Sequence, residues 1–148
     1  MSATAGGWTG RNFEIELSTD GSSWTSWKSH SNKVSDANGK RPGGAVKISG
    51  QDYPIVSTGI RDEVTPKFTF VRTETAGEPW ALVKTAFEND SLLYVRWSPK
   101  GGSAGQKRYS CSGNVTDCPY PAPDATSTTV QLFEFTMICG TVDESTIS

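Results

Sequence analysis

One stretch near the C-terminus, TVQLFEFTMI (residues 129–138), restricts the possible folds more than any other. It alternates with a period of two, yet both alternating sets are apolar. Phe133, Phe135 and Met137 lie on one side; Val130, Leu132 and Ile138 lie on the other. A strand that must hide both faces sits centrally in a layered β structure, or a second subunit covers one side. NFEIELS (12–18) is its half-wet counterpart, with Phe13, Ile15 and Leu17 facing one way and Glu14 and Glu16 the other. TPKFTFVRTE (65–74) places Phe68 and Phe70 on one face, and SLLYVRWS (91–98) is again apolar on both.

Only one segment changes period. In TAGEPWALVKTAFEND (75–90), Trp80, Val83 and Phe87 fall at i, i+3 and i+7 with Ala86 beside them, which predicts a helix over about 77–89. Thr75 and Glu78 have capping-box spacing, and Pro79 is tolerated in a first turn whose amides lack helical partners. A helix this short draws its stability from docking its apolar stripe on a sheet. The chain of 148 residues therefore reads as one mainly β domain spanning 1–148, a sandwich or rolled antiparallel sheet with one flanking helix. Only 34% of its residues are hydrophobic, so part of its apolar surface is expected to be finished by a partner.

Two segments have no obvious place in such a domain. Residues 29–52 are mostly Ser, Asn, Gly, Lys and Pro, too long for an ordinary connection, and read as a loop ordered by another subunit or not at all. The Gly- and Ser-containing start, 1–11, reads as an arm. KRYSCSGNVTDC (107–118) predicts a hairpin whose turn would bring Cys111 and Cys118 face to face, either as a disulfide or as reduced thiols. Cys139, closing an apolar strand, reads as a buried thiol. PYPAPDA is extended and excluded from a central strand by its prolines.

STDGSSWTSW (18–27) nearly matches the S-x-D-x-G-x-T-W box of sialidase propellers, but is one residue short. A propeller needs repeated blades, and the chain has no internal repeat. Asp20-Gly21 has a sufficient local explanation as a hairpin corner, because Gly takes positive φ without steric cost. No nucleophile elbow, phosphate loop or H-E-x-x-H motif occurs, and His30 stands alone in a Ser-rich stretch; an enzyme is not expected, nor a cofactor or metal. The net charge is −2, with no basic stripe to hold phosphates, and no segment is apolar enough to span a bilayer. MSATAGGWTGRN lacks the charged-then-apolar pattern of a signal peptide, so synthesis in the cytoplasm is expected.

The order of features resembles the tail tube (major tail) proteins of long-tailed, siphovirus-like bacteriophages. It comprises a DG-S-x-W turn, a long polar loop, a strand, PWALVKTAFEND, LLYVRWSPKGGSAG, VTDCPYPAPDAT and a closing TTVQLFEFTMICG. The resemblance covers nearly the whole chain. It implies a structural virion protein that forms hexameric rings, stacked into a hollow tube through which DNA passes without specific binding. The implied partners are further copies of the chain and other tail proteins, and the implied location is the virion tail. An acidic bore that repels DNA is also implied, with Glu14, Glu16 and Glu134 as candidate lining residues. Trp8, Lys40, Arg41, Val130, Leu132 and Ile138 are candidate inter-subunit residues, carried by the arm, the long loop and the last strand. Other virion parts, a tail terminator or a decoration protein, share the pattern. The alternative class is a carbohydrate-binding β-sandwich presenting Trp8, Trp24, Trp27 and Tyr53 to a glycan.

Overall fold

The computed structural model describes residues 10–148. Trp8 and most of the expected arm 1–11 lie outside them. A short 3-10 turn, Gly10–Asn12, leads into ten strands and one helix. The strands are β1 (Glu14–Ser18), β2 (Thr25–Ser26), β3 (Ser31–Ser35), β4 (Gly43–Val46), β5 (Ile55–Thr58) and β6 (Lys67–Val71). Helix α1 (Pro79–Glu88) follows, then β7 (Leu92–Ser98), β8 (Lys107–Asp117), β9 (Leu132–Cys139) and β10 (Asp143–Thr146). The main sheet runs β2-β1-β7-β8-β9-β6-β3, every pairing antiparallel, while β4 and β5 form a separate two-stranded sheet.

Alternation decides what each strand hides. Ile15 and Leu17 of β1 stand opposite Trp97 and Val95 of β7, and Phe68 and Phe70 of β6 stand opposite Phe135 and Phe133 of β9. All eight are buried on one face of the sheet. That face is rolled. The rings of Phe68 and Trp97 are 5.6 Å apart, although β8 and β9 lie between their strands. In a flat sheet, three strand spacings would separate them by about 14 Å. Helix α1 lies on this inner face, with Pro79, Trp80, Val83 and Ala86 buried and the Trp80 ring 5.3 Å from Phe133. The mainly β, antiparallel architecture with one helix agrees with the sequence reading.

The details correct it in four places. Segment 29–52 is not a loop: it holds β3, an edge strand on β6, and β4. An edge strand buries little, so Val34 alone gives SNKVS its inward anchor, and the segment carries no hydrophobic alternation to read. KRYSCSGNVTDC is not a hairpin but the single strand β8. Gly113 does not turn the chain. It lets β9 approach, since a Cβ there would sit 1.9 Å from the Ile138 carbonyl oxygen. Helix α1 is capped by Glu78, without a side-chain cap, and Thr75 only offers its carbonyl to the Glu78 amide at 3.3 Å. Phe87 falls at the margin of the stripe and is partly exposed. Finally, β9 buries one face rather than two: Phe133, Phe135, Met137 and Cys139 point inward, while Leu132 and Ile138 are 43% and 41% exposed.

Candidate assembly surfaces

The β4–β5 unit projects as a prong. Its base is pinned by the Gly59 amide donating to the Pro42 carbonyl and the Asp62 amide to that of Lys40, both at 2.8 Å. Above this base, Gly43↔Thr58 through Val46↔Ile55 pair in register. Among the described residues, the prong's apolar side chains find little to pack on. Val46, Ile48, Ile55 and Val56 are exposed, Tyr53 is 85% exposed and Ile60 89%. An isolated two-stranded hairpin is marginal in water, and a contiguous apolar surface on one usually marks an interface. Lys40 and Arg41, expected at an interface, are exposed at the prong's root. Tyr53 was singled out only for a glycan face, and the other apolar residues were missed by sequence reasoning; AVKI and the YPIV that follows it were the available signal.

A second surface is the outer face of the main sheet. Glu14, Glu16 and Glu134 all belong to it, on β1 and β9. Glu134 is exposed and accepts a hydrogen bond from Thr69 Oγ1 at 3.2 Å. Glu16 departs from the wet position expected for it, at 9% exposure. Arg96 Nε donates to its carboxylate at 2.6 Å, the Arg96 terminal nitrogen pairs with the same oxygen, and Arg108 approaches to 3.8 Å. The Arg96 guanidinium in turn lies 4.3 Å over the Trp24 ring. Glu16 is therefore a neutralised anchor of β1, β7 and β8, not a free negative charge. No periodic pattern announces this cluster, because its partners come from three strands distant in sequence. Leu132 and Ile138 lie on the same outer face, and Val130 is exposed just before β9. Among the described residues, the two outermost strands of the main sheet, β3 and β2, have no partner strand on their outer edges.

The remaining motifs prove structural. Asp20 closes its turn by accepting from the Ser22 and Ser23 amides at 2.9 and 2.8 Å and from Ser18 Oγ at 2.9 Å. The backbone donors, Ser23 and then Ser22, hold its carboxyl well below the usual aspartate range. Gly21, at φ +81°, rests against the Tyr94 ring. The stretch is a capped corner joining β1 to β2, as its Asp-Gly predicts. Trp24 is covered by Arg96, and Trp27 packs against the core, so the two do not form an open aromatic platform with Tyr53. His30 pairs with Glu78 at 3.5 Å and with Ser29 Oγ at 2.9 Å, tying the β3 turn to the start of α1. All three cysteines are free thiols; Cys111 and Cys118 lie on and just past one strand and do not face each other. Among the described residues, no three metal-ligating side chains converge, and no helix is long and apolar enough to cross a membrane.

No protein-family model and no curated protein sequence matches the chain. Solved structures do. A chain of the sheath–tube complex of an extracellular contractile injection system superposes with a TM-score of 0.70 at 14% identity, covering 93% of this chain and 90% of that one. A chain of the anti-feeding prophage cap, which terminates its tube, gives 0.69 at 14% identity and covers 99% of both. A chain of a contractile-system sheath/tube terminator gives 0.66 at 14% identity, covering 90% and 93%. This protein has the fold of those tail-assembly components. Two of the three are described as parts of contractile injection systems and none as a siphovirus protein, so the likeness supports the tail-tube resemblance in its fold and not the siphovirus assignment.

Proposed function

We propose that this chain is a structural subunit of a contractile, phage-tail-like injection system, and that copies of it associate into stacked rings forming a hollow tube. The observation that carries this is the likeness of fold over nine-tenths or more of both chains to proteins from such tails. The surface supports it independently. A subunit with free sheet edges and an apolar prong has groups that neighbours would cover. Lateral pairing of edges would close a ring, six copies as the tail-tube resemblance implies, and the prong would reach the adjacent ring. Such head-to-tail contacts are heterologous and suit open-ended growth. In this arrangement Glu134 is the better candidate for a repulsive bore, since Glu16 is already neutralised by arginine. The role is mechanical rather than enzymatic, in the tail of the assembled particle, with other tail proteins as further partners and DNA or other cargo passing without specific binding.

A terminator is the second reading, favoured by the tube-terminating cap that aligns over 99% of both chains. Negative-stain microscopy of the purified chain separates the two. A tube subunit gives open-ended hollow filaments, and a terminator gives single rings that do not grow. A monomer at all concentrations overturns both.

A further inference from the structure

Rolling the main sheet brings its β3 end back against the opposite end, and the two do not join. Val34 of β3 and Trp97 of β7 both pack into the core, yet among the described residues no strand pairing links β3 to β1 or β7. Along this seam runs a groove of about 480 Å³, with apolar walls from Phe13, Val34, Ala37, Trp97 and Pro99. Asn32, Asp36 and Asn38 add polar groups on the β3 side. Phe13, Val34, Ala37 and Pro99 are only half-buried. The wall opposite β3 is firmly held. Phe13 continues the inward alternation of Ile15 and Leu17, and Trp97 is braced by the rings of Phe68 at 5.6 Å and Tyr109 at 5.9 Å. The groove is thus a preformed apolar slot with hydrogen-bonding groups beside it, which suits an amphipathic ring.

The chain outside the described residues ends beside this groove. Residues 1–9, MSATAGGWT, run into the Gly10–Asn12 turn and from there directly into Phe13. Trp8 stands five positions before Phe13, a reach of up to ~17 Å, and it is the one aromatic residue of that segment. The other four tryptophans are already accommodated: Trp80 and Trp97 are buried, Trp24 is covered by Arg96, and Trp27 packs against the core. We propose that the occupant of the groove is Trp8 of the same chain. Its ring rests between Phe13, Trp97 and Pro99 on one side and Val34 and Ala37 on the other, and its indole N–H donates to a polar group on the β3 side. The tether favours this copy over any other, because a ring joined by so short a segment meets its own groove at an effective concentration on the order of millimolar. The arm closes the seam of the roll from within. Trp8 is then an intrachain residue rather than the inter-subunit one expected of it, and the contact stands whether or not tubes form.

The test uses the full chain with the photo-cross-linker p-benzoylphenylalanine in place of Trp8. Folded protein is irradiated, digested and mapped by mass spectrometry. The expected cross-links join position 8 to Phe13, to 34–38 or to 97–99. Mixing isotopically heavy and light subunits beforehand separates the sources: an arm in its own groove gives only all-heavy and all-light pairs, and a neighbour's arm gives mixed ones. Ala37→Arg, which fills the groove from its own wall, should abolish these cross-links while the circular dichroism of the fold is kept. Trp8→Ala should lower the urea midpoint by the same amount at low and high protein concentration. In the unsubstituted chain, hydroxyl radicals should oxidise Trp8 more slowly than in the urea-unfolded chain, which decides even if a variant folds poorly. Cross-links to another surface, mixed pairs, a urea midpoint that is unchanged or shifts with concentration, or equal oxidation rates would each overturn the proposal.

Discussion

The rolled sheet and the β4–β5 prong are made from similar residues and use them in opposite ways. In the sheet, Phe68, Phe70, Phe133 and Phe135 pack ring against ring, with centroids 5.5 to 6.1 Å apart along β6 and β9, and water reaches none of them. In the prong, Ile55, Val56, Tyr53 and Ile60 are as apolar and almost bare. Burial in the first region is complete within one chain. In the second it has not begun. The contrast marks where the subunit's own core ends and where the proposed assembly would begin, because the same hydrophobic effect that closes the core favours covering the prong.

The sharpest way to break this comparison is to put a charge into each region. Phe135→Asp places an unpaired carboxylate in the sealed face and is expected to cost several kcal/mol, enough to unfold the subunit in a urea titration. Ile55→Asp, at an exposed site, is expected to stay within about 0.5 kcal/mol of wild type. Equal losses would mean that the prong is part of the fold. Next in size is Arg96→Ala, which leaves Glu16 shielded with only the more distant Arg108; a loss of about 3 kcal/mol is expected by chemical denaturation. A negligible loss would make the Glu16 cluster ordinary surface.

A smaller effect concerns the corner at Asp20. Its carboxyl is held below its ordinary 3.8 in the folded state, so its contribution is present above that pH and is lost as pH falls through and below it. Wild-type stability should therefore drop more steeply in this acid range than that of Asp20→Asn, in parallel thermal melts. The smallest change in stability, and the largest in assembly, is expected from removing the prong. Joining Pro42 to Gly59, already hydrogen-bonded, deletes 43–58 with little disturbance of the base. The product should melt like wild type yet form no tubes by microscopy. Normal tubes from this deletion would remove the prong from the interface.

How much of this was legible in the sequence follows the same division. Where burial is internal, pattern sufficed: the alternation of NFEIELS and LFEFTM gave β1 and β9, and the period of Trp80, Val83 and Ala86 gave the helix. Where a strand lies on an edge or meets another backbone, pattern failed. SNKVS looks like a loop because an edge strand needs one anchor, not a row of them. SGN looks like a turn because glycine serves close approach as readily as it serves positive φ, and only the neighbour β9 reveals which. The apparent two-sided burial of β9 was half right. Leu132 and Ile138 are apolar, but among the described residues they stay partly exposed on the outer face. The Glu16 cluster was invisible for another reason: its arginines sit 80 and 92 residues further along the chain, at 96 and 108.

Hydrogen exchange compared between assembled and dissociated protein tests most directly the idea that identical copies finish this sheet. The amides of β3 and of residues 43–58 should exchange quickly in the free subunit and slowly in the assembly, while those of β6, β7 and β9 stay protected in both. Equal, fast exchange of β3 and the prong in both states would show that neither is covered by a neighbour, and would contradict the account.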